Sequence, residues 1–303
     1  MPARQRASIS VDPFSHASLA ACKISGLKLL HTIAELREHR RSIDTPIALV
    51  PTMGALHDGH LKLVEAAKGL SDEVWVSIFV NPTQFGPNED LAKYPRPIED
   101  DLSACERLGV SAVFNPEPSE VYPPDVIPME LDVPSLTAEF EGAHRPGHFA
   151  GVCRVVLKLL NLCQPRVACF GLKDYQQLRV IEAMVSDFNL PIAIQRVQTV
   201  READGLAMSS RNRYLSEDER KQAVGLIKAL RLAKQLIEAD GETDPAVIER
   251  AMEQTLLAHR IEPDYCAVRH PETLAPLDMV RQPAVALIAG RLGGVRLLDN
   301  LII

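Results

Sequence analysis

Residues 47–80 read IALVPTMGALHDGHLKLVEAAKGLSDEVWVSIFV, and this stretch decides the fold. Residues 47–50 form a short apolar run of strand type closed by Pro51, residues 61–70 have helical character, and residues 73–80 are a second β-rich run. Strand, loop, helix and strand within one compact stretch make a βαβ unit, which implies a parallel sheet. Working outward, a helix pattern begins near Leu29 and runs through Ile33, Leu36 and Arg40, and buried-strand candidates recur at 111–114, 167–170 and 192–197. Phe149, Val152, Val155, Val156, Leu159, Leu160 and Cys163, spaced by threes and fours, give one broad apolar helix face. Another helix follows Asp174, with Leu178, Ile181 and Val185 inward. The pattern predicts a Rossmann-like, doubly wound parallel α/β domain over 28–199, whose ligands would sit at the carboxyl ends of the strands.

After Leu215 the texture changes. Ser216-x-x-Glu219 is a capping box that opens a long helix through about Asp240, and Pro245 stands in the first turn of another that reaches about Arg260. Strand candidates at 265–268, 285–289 and 296–298, with Gly293-Gly294 as a hairpin turn, complete a smaller C-terminal α+β domain over 200–303. Residues 1–27 mix Arg, Ser, Pro and His without an apolar core and are expected to be a poorly ordered extension. A chain of 303 residues fits about two domains. With a formal net charge of −7 it would repel a polyanion, which argues against general nucleic-acid binding. No apolar run reaches the roughly 18–20 residues that span a bilayer. The six cysteines form no C-x-x-C pair and have mostly apolar neighbours, as reduced, buried thiols of a cytoplasmic protein would.

The loop 51–60, PTMGALHDGH, leaves a strand and enters a helix. Gly54 and Gly59 permit close backbone approach, and a helix N-terminus favours an anion. His57 and His60 are three residues apart and can face one side, where imidazolium groups would meet phosphate oxygens as charge builds. By itself the loop reads equally well as a Gly-rich turn with two solvated histidines. No P-loop, G-x-G-x-x-G or H-E-x-x-H motif is present to take its place. Met208-Ser209-Ser210-Arg211-Asn212, at the junction of the two domains, offers hydroxyls and a guanidinium suited to phosphate. Lys173 lies in FGLKDYQQ (170–177), just after a strand, followed by Gln176 and Gln177. Asn81 and Gln84 leave another strand end in FVNPTQFG (79–86) and are placed to line a pocket. Asp100 and Asp101 are candidate Mg²⁺ positions, and Arg145 and His148 in EGAHRPGHF (141–149) are candidate substrate contacts.

In this order, the segments PTMGALHDGH, FVNPTQFG, EGAHRPGHF, FGLKDYQQ and READGLAMSSRNRYL resemble the pantothenate synthetase family (pantoate–β-alanine ligases) from about residue 28 to 303, within the wider H-x-G-H nucleotidyltransferases. The resemblance implies a homodimeric enzyme with a Rossmann-like domain and a C-terminal lid. It would use ATP and Mg²⁺ to activate pantoate as pantoyl adenylate, releasing pyrophosphate, and then pass the pantoyl group to β-alanine, releasing AMP. By motif match, His57, His60 and Lys173 would be catalytic, with His60 at the position of a proton donor. The ATP site would comprise Met53, Gly54, Ala55, Leu56, His57, Asp58, Gly59, His60, Gly171, Leu172, Lys173, Asp174, Val200, Met208, Ser209, Ser210 and Arg211. Gln84, Gln177 and Asn81 would bind pantoate, and Gln84 also β-alanine. Leu172, where an acidic residue is more usual, Arg154, where Thr or Ala is, and the pair Arg269-His270 depart from the family pattern. Rival readings are a nucleotidyltransferase with another acceptor and a non-catalytic nucleotide-binding regulator.

Overall fold

A computed structural model describes residues 26–87 and 89–303, so the expected N-terminal extension lies outside the described residues except for Gly26 and Leu27. Strands β1 (Lys28–Leu30), β2 (Ile47–Thr52), β3 (Glu73–Ile78), β4 (Ala112–Phe114), β5 (Val167–Gly171) and β6 (Ala193–Val197) form one sheet in the order β1-β4-β3-β2-β5-β6. Every pairing in it is parallel. The central strand shows why the sequence demands cover on both faces. Ile47 and Leu49 enter the core shared with Leu36, Phe149, Val152 and Leu178, whereas Ala48 and Val50 enter the core shared with Leu63, Val64, Ala67 and Cys105. A strand apolar at four consecutive positions, Ile47 to Val50, has no face there to give to water.

The helix expected from near Leu29 begins only at Ile33. Thr32 caps it, with a reciprocal bond from Glu35, and Leu29 and Leu30 belong instead to β1. That three-residue edge strand pairs with β4, more than eighty positions away, so nothing in its neighbourhood marks it as a strand. The long helix expected after Ser216 is two, Glu217–Ala223 and Gly225–Glu238, and its capping box is present. The break falls where Gly225 backs onto His259; a Cβ there would stand 2.6 Å from the His259 side chain.

The chain then enters the helix Pro245–Ala258 and an antiparallel sheet of β7 (Glu262–Arg269), β8 (Val285–Leu292) and β9 (Val295–Ile302), ordered β7-β8-β9. The β8–β9 hairpin turns at Gly293, whose φ of +57° suits a residue without a Cβ. This sheet has its own core around Leu230, Met252 and Ile288, yet Ala267, Val285 and Leu287 pack into the core of the parallel sheet. Cys105, Cys153, Cys163 and Cys169 are buried free thiols and Cys266 is a partly buried one; Cys22 lies outside the described residues. The departures noted above are accommodated. Leu172 is buried in the main core, Arg154 stacks its guanidinium 4.5 Å over the Tyr122 ring, and Arg269 pairs with Glu249 at 2.6 Å.

Candidate active site

From β2 the chain steps outward through β3 to β4, then returns to place β5 on the other side of β2. Loops leaving β2 and β5 therefore diverge, and a crevice opens between them at the carboxyl ends of the strands. A cavity of about 230 Å³ occupies that crevice, lined by Met53, His57 and His60 from the first loop and Gly171, Lys173 and Asp174 from the second.

His57 and His60 open the helix Asp58–Lys68. The His57 ring takes the place usually held by Ser, Thr, Asp or Asn: its Nδ1 accepts from Gly59 N–H at 3.1 Å, and His60 Nδ1 accepts from His57 N–H at 3.4 Å. The two rings lie 4.1 Å apart. A backbone N–H can only donate, so both Nδ1 atoms are bare and both protons sit on Nε2. Burial, with the neighbouring His57, drives His60 down to about 3, and burial with Lys173 also lowers His57. The imidazolium pair expected from sequence is therefore a pair of neutral rings, each with an N–H to offer. Gly59 is required here for space, since a Cβ would stand 2.8 Å from the His57 ring.

The remaining donors come from the β5 loop and from Ser209, Ser210 and Arg211, which line the cavity with Val200 and Met208. Lys173 Nζ lies 3.1 Å from the Asp174 carboxylate. Burial alone would raise Asp174, but Lys173 and Arg211 outweigh it and hold it below the usual carboxylate range. Arg211 donates to Asp90 at 3.3 Å, and Ser209 Oγ accepts from the Arg211 N–H.

The opposite wall carries Gln84, Asn81 and, from the helix Tyr175–Asp187, Gln177. Asn81 is fully engaged. Its Nδ2 donates to Gln84 Oε1 at 3.0 Å and to the Gly151 carbonyl at 3.1 Å, while its Oδ1 accepts from Tyr122 Oη at 2.8 Å and Thr83 Oγ1 at 2.9 Å. It has no hydrogen left for a substrate and acts by fixing Gln84, whose NH₂ end donates one hydrogen to Met53 Sδ at 3.3 Å and presents the other. His148 serves the same segment. Its Nδ1 meets the Gln84 carbonyl at 2.9 Å and its Nε2 meets Arg145 at 3.0 Å, while burial and Arg145 lower it to about 4. Arg145 grips Glu89 with two nitrogens, at 2.8 and 2.7 Å. Gly151 is needed beneath all this, because a Cβ would stand 2.3 Å from the Thr83 carbonyl.

Several expected residues stand behind the cavity. Asp101 is 2% exposed, and its two oxygens accept from Ala55 N–H at 2.8 Å and Leu56 N–H at 2.7 Å. Burial pushes its pKa up and those two bonds pull it down. Asp101 thus fastens the loop that carries Gly54, Ala55 and Leu56, while Asp58 and Asp100 point into solvent. Neither Asp100 nor Asp101 lines the cavity. Among the described residues no group of three or more His, Cys, Asp or Glu side chains could hold a metal ion. Gln176, read alongside Gln177, turns the other way and donates to the Leu136 and Glu139 carbonyls. Sequence reasoning missed the apolar floor under the glutamines, formed by Val152, Val155, Val156, Leu159, Phe79 and Phe170. Its one signal was the width of the 149–163 apolar face. Gln198 and Thr199, which also line the cavity, follow β6 and were accessible to the strand-end rule.

Among the described residues no helix is long and apolar enough to cross a membrane. The family described as pantoate-beta-alanine ligase matches residues 28–302. A pantothenate synthetase of Moorella thermoacetica is 48% identical over 281 residues, spanning 91% of this chain and 99% of the relative; one of Agrobacterium fabrum is 49% identical over 91% and 96%. A crystal structure of the enzyme from Thermus thermophilus superposes with a TM-score of 0.86 at 45% identity, covering 90% of this chain and 98% of that one. A pantoate-beta-alanine ligase from Francisella tularensis, complexed with beta-gamma ATP and beta-alanine, gives 0.75 at 32%, covering 91% and 97%. Sequence match along nearly the whole length, together with superposition on a solved member, places the chain in the pantoate-beta-alanine ligase family.

Proposed function

We propose that the cavity binds ATP along its histidine wall and pantoate over its apolar floor, and that the chain joins pantoate to β-alanine through pantoyl adenylate. One observation carries this reading: a single crevice sets the unspent histidine N–H groups, the Lys173 ammonium and the Arg211 guanidinium against an amide-topped apolar pocket. A carboxylate oxygen of pantoate attacks the α-phosphorus of ATP, and the bond from that phosphorus to the bridging oxygen of pyrophosphate breaks. The Nε2–H groups of His57 and His60, the Lys173 ammonium, Ser209, Ser210 and Arg211 stabilise the negative charge that accumulates on the phosphates. Met53, Gly171, Asp174, Val200 and Met208 complete the nucleotide surface, and the backbone of 54–56 is held to it by Asp101. Gln84 and Gln177 orient pantoate for in-line attack. The neutral amine of β-alanine then attacks the acyl carbon, the C–O bond to AMP breaks, and the amine gives up a proton to solvent or product phosphate.

His60, lowered to about 3 by burial and by His57, offers its Nε2–H to the phosphates as a hydrogen-bond donor. Mg²⁺, held on the ATP phosphates, would neutralise part of the charge that the cavity's donors also meet. We further propose a homodimer in the cytoplasm, with residues 200–303 closing over the nucleotide domain 28–199. The test is ATP–pyrophosphate exchange: it should require pantoate and proceed without β-alanine. Exchange with a different acid and none with pantoate would refute the substrate; ATP binding with no exchange for any acid would favour a regulator.

A further inference from the structure

The catalytic reading leaves two buried polar residues of β9 unused, Asp299 (2% exposed) and Asn300 (5% exposed). The Asn300 amide spends both its hydrogens on adjacent carbonyls of the turn after β5, Leu172 O at 2.9 Å and Lys173 O at 2.7 Å. A single NH₂ group thus holds this turn with two donors, and the turn presents Lys173 to the cavity. Asp299, on the opposite side of the strand, accepts from both Arg201 terminal nitrogens at 2.6 and 3.0 Å and from the Asn300 N–H at 2.8 Å. Arg201 also donates to the Gly205 carbonyl at 3.1 Å and bridges to Ala207, while Met208 N–H bonds the Val200 carbonyl at 2.9 Å. The loop shaped by these bonds delivers Met208, Ser209, Ser210 and Arg211 to the cavity. Two loops that share no direct sequence neighbourhood are thus anchored to consecutive residues of one strand.

We infer that Asp299 and Asn300 are positioning residues for the nucleotide: β9 of the small sheet sets the spacing between the Lys173 turn and the Ser209–Arg211 loop. The inference rests on the reading that the cavity takes ATP. Replacing the amide by an isosteric carboxylate sets an acceptor against two buried carbonyls, so the turn must withdraw and take Lys173 with it. The pantoate wall has no bond to either residue and keeps its geometry.

Calorimetric titration of the full chain with a non-hydrolysable ATP analogue tests this, beside separate KM values for ATP and pantoate in pyrophosphate exchange. Asn300→Asp should weaken analogue binding and raise the KM for ATP by roughly 10- to 100-fold, as expected for ångström-scale misplacement, with the KM for pantoate unchanged. Asn300→Ala, which removes the two donors without setting a charge against the carbonyls, should fold and show a smaller shift of the same kind. Glu182→Gln, which removes the partner of Arg179 and Arg196 outside the cavity, should lower the melting temperature without moving either KM. Asn300 variants that fold and keep wild-type analogue affinity, or that raise both KM values equally, overturn the inference. Wild-type protein that fails to bind the analogue removes the ATP reading itself.

Discussion

The two walls of the cavity are made of similar residues and end in opposite conditions. Along the nucleotide wall, His57 and His60 spend only their Nδ1 atoms on the backbone and keep their Nε2–H groups. Along the pantoate wall, Asn81, His148 and Arg145 spend their polar groups on one another and on backbone, so that only the ends of Gln84 and Gln177 are offered. The difference matches the role proposed for each wall. A wall that meets accumulating charge needs unspent donors aimed in advance, whereas a wall that selects one small acid needs a single amide held one way round.

The sharpest way to break this contrast is His60→Ala. Losing one preorganised donor should reduce adenylate formation about 10²- to 10³-fold with the fold retained, because the His60 ring is a helix-start feature and not part of the core. Exchange within a few-fold of wild type would remove His60 from the nucleotide wall's chemistry. Gln84→Glu tests the other wall. It keeps the shape and the Asn81 bond but turns the presented NH₂ into a carboxylate oxygen facing the acid substrate. The KM for pantoate should rise roughly 10- to 100-fold while ATP analogue binding stays constant; a parallel loss of ATP affinity would show that the walls are not independent.

The smallest effect is on stability. His60 and His148 are held at about 3 and about 4, against the 6.5 they regain on unfolding. Below pH 6.5 the unfolded chain therefore binds more protons than the folded one, and stability contributed by the neutral rings is complete above 6.5 and lost as pH falls. The melting temperature should decline from about pH 6.5 to about 5, before most carboxylates titrate, and His148→Gln should flatten that slope. The exchange rate should show no inflection in this window from His60. A melting temperature that stays level across it would refute the depressed pKa values.

Much of the fold was legible because its signals are local. The continuous apolar run of β2, the alternation of strand and helix, and the capping box at Ser216 each depend on a few adjacent residues. The edge strand β1 was not, since its partner lies far along the chain, and neither was the break before Gly225, which answers to His259. His57 and Lys173 line the cavity from the strand-end loops expected to carry them, and Arg211 lines it from the expected domain-junction loop. Asp100 and Asp101 looked alike in sequence, yet one points to solvent and the other is a buried fastening for the H-x-G-H loop.

The sequence by itself determined the sheet apart from its edge strand β1, the loops that leave it and the family, because periodicity and short motifs are written in consecutive residues. Only the tertiary structure decided which polar groups are spent and which are free. Hydrogen-bond satisfaction depends on partners distant in the chain, as when Tyr122 and Gly151 consume Asn81, or Asn300 holds the carbonyls beside Lys173. It also decided the charge of the histidines, since burial, which no motif encodes, sets the pKa of a ring.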